Sequence, residues 1–262
     1  MNCREVPLPC WTNSAVPETD VMIEFVNLVK KFGGLVAVNG ITLTVPRGEF
    51  FALLGPNAAG KTTTLKILAG LIKPTSGCTR VCGFDVQMQP LEARRRMAYV
   101  PDFPFLYDKL TVGEFLRFTG HLFQMDDAKI EANARELVAR FHLDDSADRP
   151  LESLSHGTRQ RVAIVSALLH DPEVFVIDEP MVGLDPQHSR IVKDVLKERS
   201  LKGMTVLLST HELSVAEEMA DRVGIIQAGQ LIAVGNRDEL RKQSGAAGPL
   251  EDIFLTLTAV EK

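Results

Sequence analysis

Residues Gly55-Pro56-Asn57-Ala58-Ala59-Gly60-Lys61-Thr62-Thr63 constrain this chain more than any other stretch. They fit G-x-x-x-x-G-K-[ST], in which a loop of small residues turns its backbone N–H groups around a phosphate chain. The loop also lies in the context it needs. The apolar run Phe50–Leu54 predicts a buried strand before it, and residues 62–69 predict a helix after it, stopped by Gly70. A helix starting there adds the positive end of its dipole at the same spot. Lys61 would place a point charge on the β- and γ-phosphates, and the Thr62 hydroxyl could ligate Mg2+.

A chain of 262 residues, 45% hydrophobic and 24% charged, has ample material for the core of one large domain or two small ones. Its net charge of −5 gives no support for a nucleic-acid binder dominated by basic surface, and direct nucleic-acid binding is not expected. It has no run of 18 apolar residues with which to span a membrane. The N-terminus carries Arg4, Glu5 and then prolines, without the apolar stretch of a secretory signal. Cys3, Cys10, Cys78 and Cys82 are too few for a disulfide scaffold and lack a second Cys/His pair for zinc. They read as reduced structural thiols of a cytosolic protein.

Residues 1–20 hold three prolines and little periodicity, as expected of a loose leader. Regular structure is expected from Val21 onward, with strands and helices alternating as in an α/β core with a largely parallel sheet. Residues 111 to about 169 are instead mostly helical. Thr111 and Glu114 have capping-box spacing, followed by Val112, Phe115, Leu116, Thr119, Leu122 and Phe123 at helical intervals. A second helix is expected to carry Ile130, Ala134, Leu137, Val138 and Phe141 on one face. This block, about residues 100–165, reads as a helical insertion between two parts of one sheet. Runs 174–177 and 205–208 are β-branched and unbroken, as in strands buried on both faces. Asp185-Pro186 has the form of an N-cap and first helical residue. Residues 223–234 predict a hairpin, and Asn236 a cap for the next helix. Residues 241–262 read as a tail beyond the domain.

Two of the buried runs end in polar residues, one at Asp178-Glu179 and the other at Thr210-His211. In an open α/β sheet, ligands collect at the carboxyl ends of strands, where the phosphate loop also lies. Asp178 could then hold Mg2+, Glu179 could position or polarise an attacking water, and His211 could steady that water or the γ-phosphate. Leu154-Ser155-His156-Gly157-Thr158-Arg159 reads as a Ser-capped helix start that offers N–H groups to an anion. One chain with one phosphate loop has no second phosphate for it, whereas a second subunit would.

Taken together, these motifs resemble the nucleotide-binding subunits of ATP-binding cassette (ABC) transporters, over nearly the whole length from about Val21. Residues 55–63 match Walker A, 174–179 Walker B, 154–158 the signature motif, 183–185 the D-loop and His211 the switch histidine. Phe32 matches the aromatic residue that stacks on adenine. The resemblance implies a P-loop NTPase of α/β class. Its mainly parallel RecA-like core would span residues 21–240, with an antiparallel β element and an inserted helical subdomain. It also implies a dimer, with a second copy or with a paralogue, that sandwiches two ATP molecules with Mg2+ and drives a separate membrane permease from the cytoplasmic face of the cell membrane. Glu179 would be the general base and His211 its companion. Ser155 and Gly157 of one subunit would touch the γ-phosphate held by the other, with Asp185 close by. The stretch 99–108 and the ending 250–254 are similar to the group paired with ABC-2 type permeases, mostly exporters.

Three departures stand out. Asp102 occupies the position usually held by Gln, or by Glu in the ABC-2 group; it could still reach Mg2+ through water but cannot donate a hydrogen bond. Ala58 replaces a common glycine, and its methyl would crowd the loop if the position needs positive φ. His156 and Thr158 alter the signature while keeping Ser155 and Gly157. A soluble ABC-type ATPase acting on ribosomes or DNA is the alternative, but such proteins usually carry tandem cassettes or long insertions. A P-loop kinase would not need Ser155-His156-Gly157, and no N-K-x-D motif of a GTPase is present.

Overall fold

The structure, a computed structural model, describes residues 20–246 and 248–259. The leader expected over residues 1–20 lies, apart from Asp20, outside the described residues, as do Cys3 and Cys10.

The chain opens with a long hairpin, β1 (Val21–Phe32) and β2 (Leu35–Pro46), turned at Gly33 with φ 58°. Next come β3 (Phe50–Leu54), α1 (Lys61–Leu68), β4 (Ser76–Val81), β5 (Phe84–Asp85), α2 (Pro90–Arg96) and β6 (Met97–Val100). Strands β1, β2, β4 and β5 make an antiparallel sheet in the order β2-β1-β4-β5. The helical block holds α3 (Val112–Leu122), α4 (Asp127–Arg140) and α5 (His156–Leu168), before β7 (Val174–Asp178), α6 (Pro186–Leu201) and β8 (Thr205–Thr210). Last come α7 (Leu213–Met219), β9 (Arg222–Gln227), β10 (Gln230–Gly235), α8 (Arg237–Ser244) and α9 (Leu250–Thr258). The second sheet has the order β10-β9-β3-β8-β7-β6, parallel throughout except for the final hairpin.

Every residue of β3, β7 and β8 is buried, which is why their sequences lack a polar face. The pleat sends alternate residues to two cores. Phe50, Phe175, Ile177, Val206 and Leu208 face the helical block and α6, while Phe51, Leu53, Val174, Val176 and Leu207 face α1 and the antiparallel sheet.

Local signals explain most helix ends. Thr111 and Glu114 form the reciprocal capping box of α3, with Thr111 N donating to Glu114 Oε2 at 2.8 Å. Asp185 caps α6 and Asn236 caps α8, each accepting backbone N–H bonds. Val112, Phe115, Leu116, Ile130, Leu137 and Phe141 are buried as their spacing predicts, but Leu122 is 65% exposed. It sits on the last turn of α3, where the apolar stripe outruns the core. In the region expected as a tail, α9 buries Leu250 and Ile253 in a cluster that also contains Leu213 and Ala216 of α7. The chain end thus braces the helix that follows His211.

Candidate functional site

The phosphate loop is pressed between neighbours that leave no room for side chains. A Cβ on Gly55 would meet Ile226 O at 2.3 Å, and one on Gly60, at φ 107°, would meet Ala37 O at 2.4 Å. Glycine at both positions lets the loop backbone reach the α1 N-terminus in a tight curl. Ala58 does adopt a positive φ, 64°, but its methyl points to solvent, so the cost is local backbone strain rather than a clash. Lys61 is buried and its Nζ donates to Gly55 O at 2.7 Å and Pro56 O at 3.2 Å. The ammonium is therefore held inside the curl. Thr62 is exposed and Thr63 half-buried on the first turn of α1, while Pro56, Asn57 and Ala59 complete the loop.

Strand β8 lies between β3 and β7, so three carboxyl ends converge. Asp178 pairs with Ser209 across the strands and is fully buried. Ser209 Oγ donates to Asp178 Oδ1, whereas Asp178 Oδ2 has no partner among the described residues. Glu179, one residue on, takes φ 48°, a left-handed conformation unusual for a non-glycine residue. That turn aims its carboxylate across the strand ends. Glu179 Oε1 lies 3.6 Å from Lys61 Nζ and 3.0 Å from His211 Nδ1, and Oε2 accepts from His211 N at 3.4 Å. Lys61 at the start of α1, Glu179 just past β7 and His211 just past β8 thus form one contiguous polar cluster.

Asp102 follows β6 and is half-buried. Its carboxyl is held above the usual range, first by burial and then by the charges of Asp178 and Glu179, against the pull of His156 and His211. It belongs to the same electrostatic neighbourhood. Phe32 ends β1, 49% exposed, with Lys30 Nζ 4.8 Å from its ring centroid.

Ser155, Gly157 and Asp185 gather elsewhere. Ser155 caps α5, accepting from Thr158 N at 3.3 Å, and a Cβ on Gly157 would meet Gly183 O at 2.6 Å. Signature and D-loop are thus packed against each other within one chain. Ser155 and Gly157 lie on an exposed helix start, with no hydrogen bond to the Lys61 cluster among the described residues.

Two participants escaped the sequence reading. Ser209 supplies the donor to Asp178; its only trace is a hydroxyl directly after the apolar run 206–208. Tyr99, on β6, places a buried hydroxyl near Asp178 and Asp102.

Comparisons with known proteins place the chain in a family. The ABC transporter family model matches residues 38–182, more than half the chain. The chain is 40% identical over 213 residues to the Nod factor export ATP-binding protein I of Burkholderia lata, covering 81% of this chain and 70% of that protein. It is 34% identical over 224 residues to the linearmycin resistance ATP-binding protein LnrL of Bacillus subtilis, covering 86% and 72%. A solved ATP-binding subunit of an ABC transporter superposes with TM-score 0.87 at 34% identity, covering 90% of this chain and 99% of that one. A dimeric ATP-binding cassette in a post-hydrolysis state, bound to ADP and Pi, matches with TM-score 0.75 at 26% identity, covering 82% and 98%. The chain belongs to the ABC transporter family. Its activity is that of the family's ATP-binding subunits, ATP hydrolysis that drives transport, rather than that of a ribosome- or DNA-directed ATPase.

Proposed function

We propose that this chain is the ATPase subunit of an ABC-2 type exporter, working as a dimer on the cytoplasmic face of a membrane beside a separate permease. The observation that carries this reading is the Lys61–Glu179–His211 cluster at three adjoining strand ends. Export is supported by relatives named for Nod factor export and for linearmycin resistance.

In this reading the backbone of residues 55–63 wraps the phosphates and Phe32 stacks on adenine. Lys61 exchanges its loop carbonyls for β- and γ-phosphate oxygens. Thr62, Asp178 and Asp102 hold Mg2+. The unpartnered, buried Asp178 Oδ2 fits a site built for a cation or its water. When bound, that ion neutralises charge on the phosphate oxygens. Glu179 takes a proton from water as the water oxygen bonds to the γ-phosphorus and the bond to the ADP oxygen breaks. His211, 3.0 Å from Glu179, keeps the carboxylate aimed.

The exposed Ser155–Gly157 surface completes the partner's site, so hydrolysis requires the dimer. The dimeric cassette with ADP and Pi supports that arrangement. The loop that holds Asp102 also walls an apolar groove of about 340 Å³, lined by Pro104, Phe105, Phe115, Phe118 and Leu122, with Phe105 94% exposed. A permease segment seated there would press on the Asp102 loop. No described helix is long and apolar enough to cross a membrane, so the path for cargo falls to that partner. Affinity purification of tagged protein from detergent-solubilised membranes tests the reading. A stoichiometric polytopic protein is expected; recovery with ribosomal or DNA-processing partners alone would overturn it.

A further inference from the structure

Two polar atoms buried beside the phosphate loop have no hydrogen-bond partner among the described residues: Asp178 Oδ2 and Tyr99 Oη. They come from neighbouring strands. β6 and β7 run parallel with Tyr99 opposite Val176, so Asp178, two residues on, is the diagonal neighbour of Tyr99. Side chains two apart share a sheet face, and a diagonal neighbour is within reach of an aromatic side chain. That face looks toward α1, since Tyr99 packs against the cluster that contains Val174, Val176 and Leu65 of α1.

The chemistry of the pair is complementary. Burial, then the charges of Asp178 and Asp102, holds the Tyr99 phenol well above its usual range, so it keeps its proton and donates. Ser209 already occupies Asp178 Oδ1, which leaves Oδ2 as the acceptor. Orphan donors and acceptors in a protein interior are costly, and a shared ordered water between them removes both costs at once.

We propose that Tyr99 is a positioning residue for the divalent ion that accompanies the nucleotide, donating from Oη to a water that Asp178 Oδ2 also holds. The inference rests on the reading of Asp178 as the metal-side carboxylate of the ATP site. Its role is to fix where that water, and through it the ion, stands relative to Asp178. Hydrogen-bond partners of this indirect kind set metal affinity without touching the metal.

The test compares the full chain with Tyr99→Phe, which removes the hydroxyl and keeps the packed ring. Mn2+ serves as the probe, with free ion followed by electron paramagnetic resonance at saturating ADP. ADP affinity in EDTA is measured separately by calorimetry. The proposal expects Mn2+ to bind about 3- to 10-fold more weakly to Tyr99→Phe. ADP affinity in EDTA should stay within about twofold of wild type, because the packed ring is retained. Unchanged Mn2+ affinity in Tyr99→Phe overturns the proposal alone. Equal weakening of ADP with and without metal also overturns it, marking a structural role. A wild-type protein with no ADP-dependent Mn2+ site removes the ATP reading and the proposal together.

Discussion

Replacing Ser209 with alanine tests how the fold holds the Asp178 carboxylate. Asp178 is fully buried, and Ser209 Oγ is its one side-chain donor among the described residues. Ser209→Ala therefore strips a buried carboxylate oxygen of its partner. Hydrogen bonds to charged groups contribute about 1.5–3 kcal/mol, and an orphaned buried acceptor costs about 1–3 kcal/mol. At roughly 2–4 °C per kcal/mol for a domain approaching this size, the midpoint should fall by about 2–12 °C. The change leaves Ser209 O in place, so its bond from Glu179 N at 3.0 Å and the aim of Glu179 should survive. Urea unfolding followed by circular dichroism, on wild type, Ser209→Ala, Asp178→Asn and the double variant, separates the pair from its surroundings. In the Asp178→Asn background the acceptor is neutral, and losing the hydroxyl should cost about 0.5–1.5 kcal/mol. Equal costs in both backgrounds, or a cost below about 0.5 kcal/mol in the charged one, would refute the claim that Ser209 stabilises a buried charge.

Three further expectations follow from other parts of the structure. Lys61→Ala removes a charged donor from the phosphate site and should weaken nucleotide binding by about 10- to 150-fold, read by fluorescent ATP-analogue titration; undiminished affinity would contradict the role given to Lys61. Ala58→Gly relieves a left-handed backbone without losing packing, and after the entropy cost of glycine should stabilise the fold by about 0.5–1 kcal/mol in urea unfolding; a destabilised variant would show that the methyl is useful. Burial lowers the His170 pKa to about 4, against the opposing pull of Asp171. The unfolded chain therefore binds a proton that the native one refuses. Stability from this group is complete above about pH 6.5 and is lost as pH falls toward 4, by about 3 kcal/mol in all. His170→Phe should flatten that part of the stability–pH curve, and an unchanged curve would assign the acid sensitivity to other groups.

Much of the site was legible because its signals are local. The phosphate loop carries its own strand and helix, and Thr111, Asp185 and Asn236 announce helix starts through bonds to residues two or three positions away. Asp178, Glu179 and His211 were legible as polar ends of apolar strands. Other features depend on which strands become neighbours. The placement of β8 between β3 and β7 brings Ser209 opposite Asp178, and one of several hydroxyls along a buried strand does not reveal that register. The β2-β1-β4-β5 sheet is built from pairings with several register shifts, which periodicity along one strand cannot encode. Residues 241–262 read as a tail, whereas α9 packs in one cluster with α7; that docking is a tertiary contact which local pattern does not encode.

In the proposed mechanism Glu179 drives hydrolysis inside a nucleotide-sandwich dimer. Glu179→Gln removes the base and keeps the shape, so the most direct measurement follows ATP turnover and sedimentation of that variant with Mg2+ and ATP. Nucleotide binding, turnover lowered by about 100-fold or more, and accumulation of an ATP-dependent dimer are expected. Turnover at the wild-type rate would contradict that mechanism.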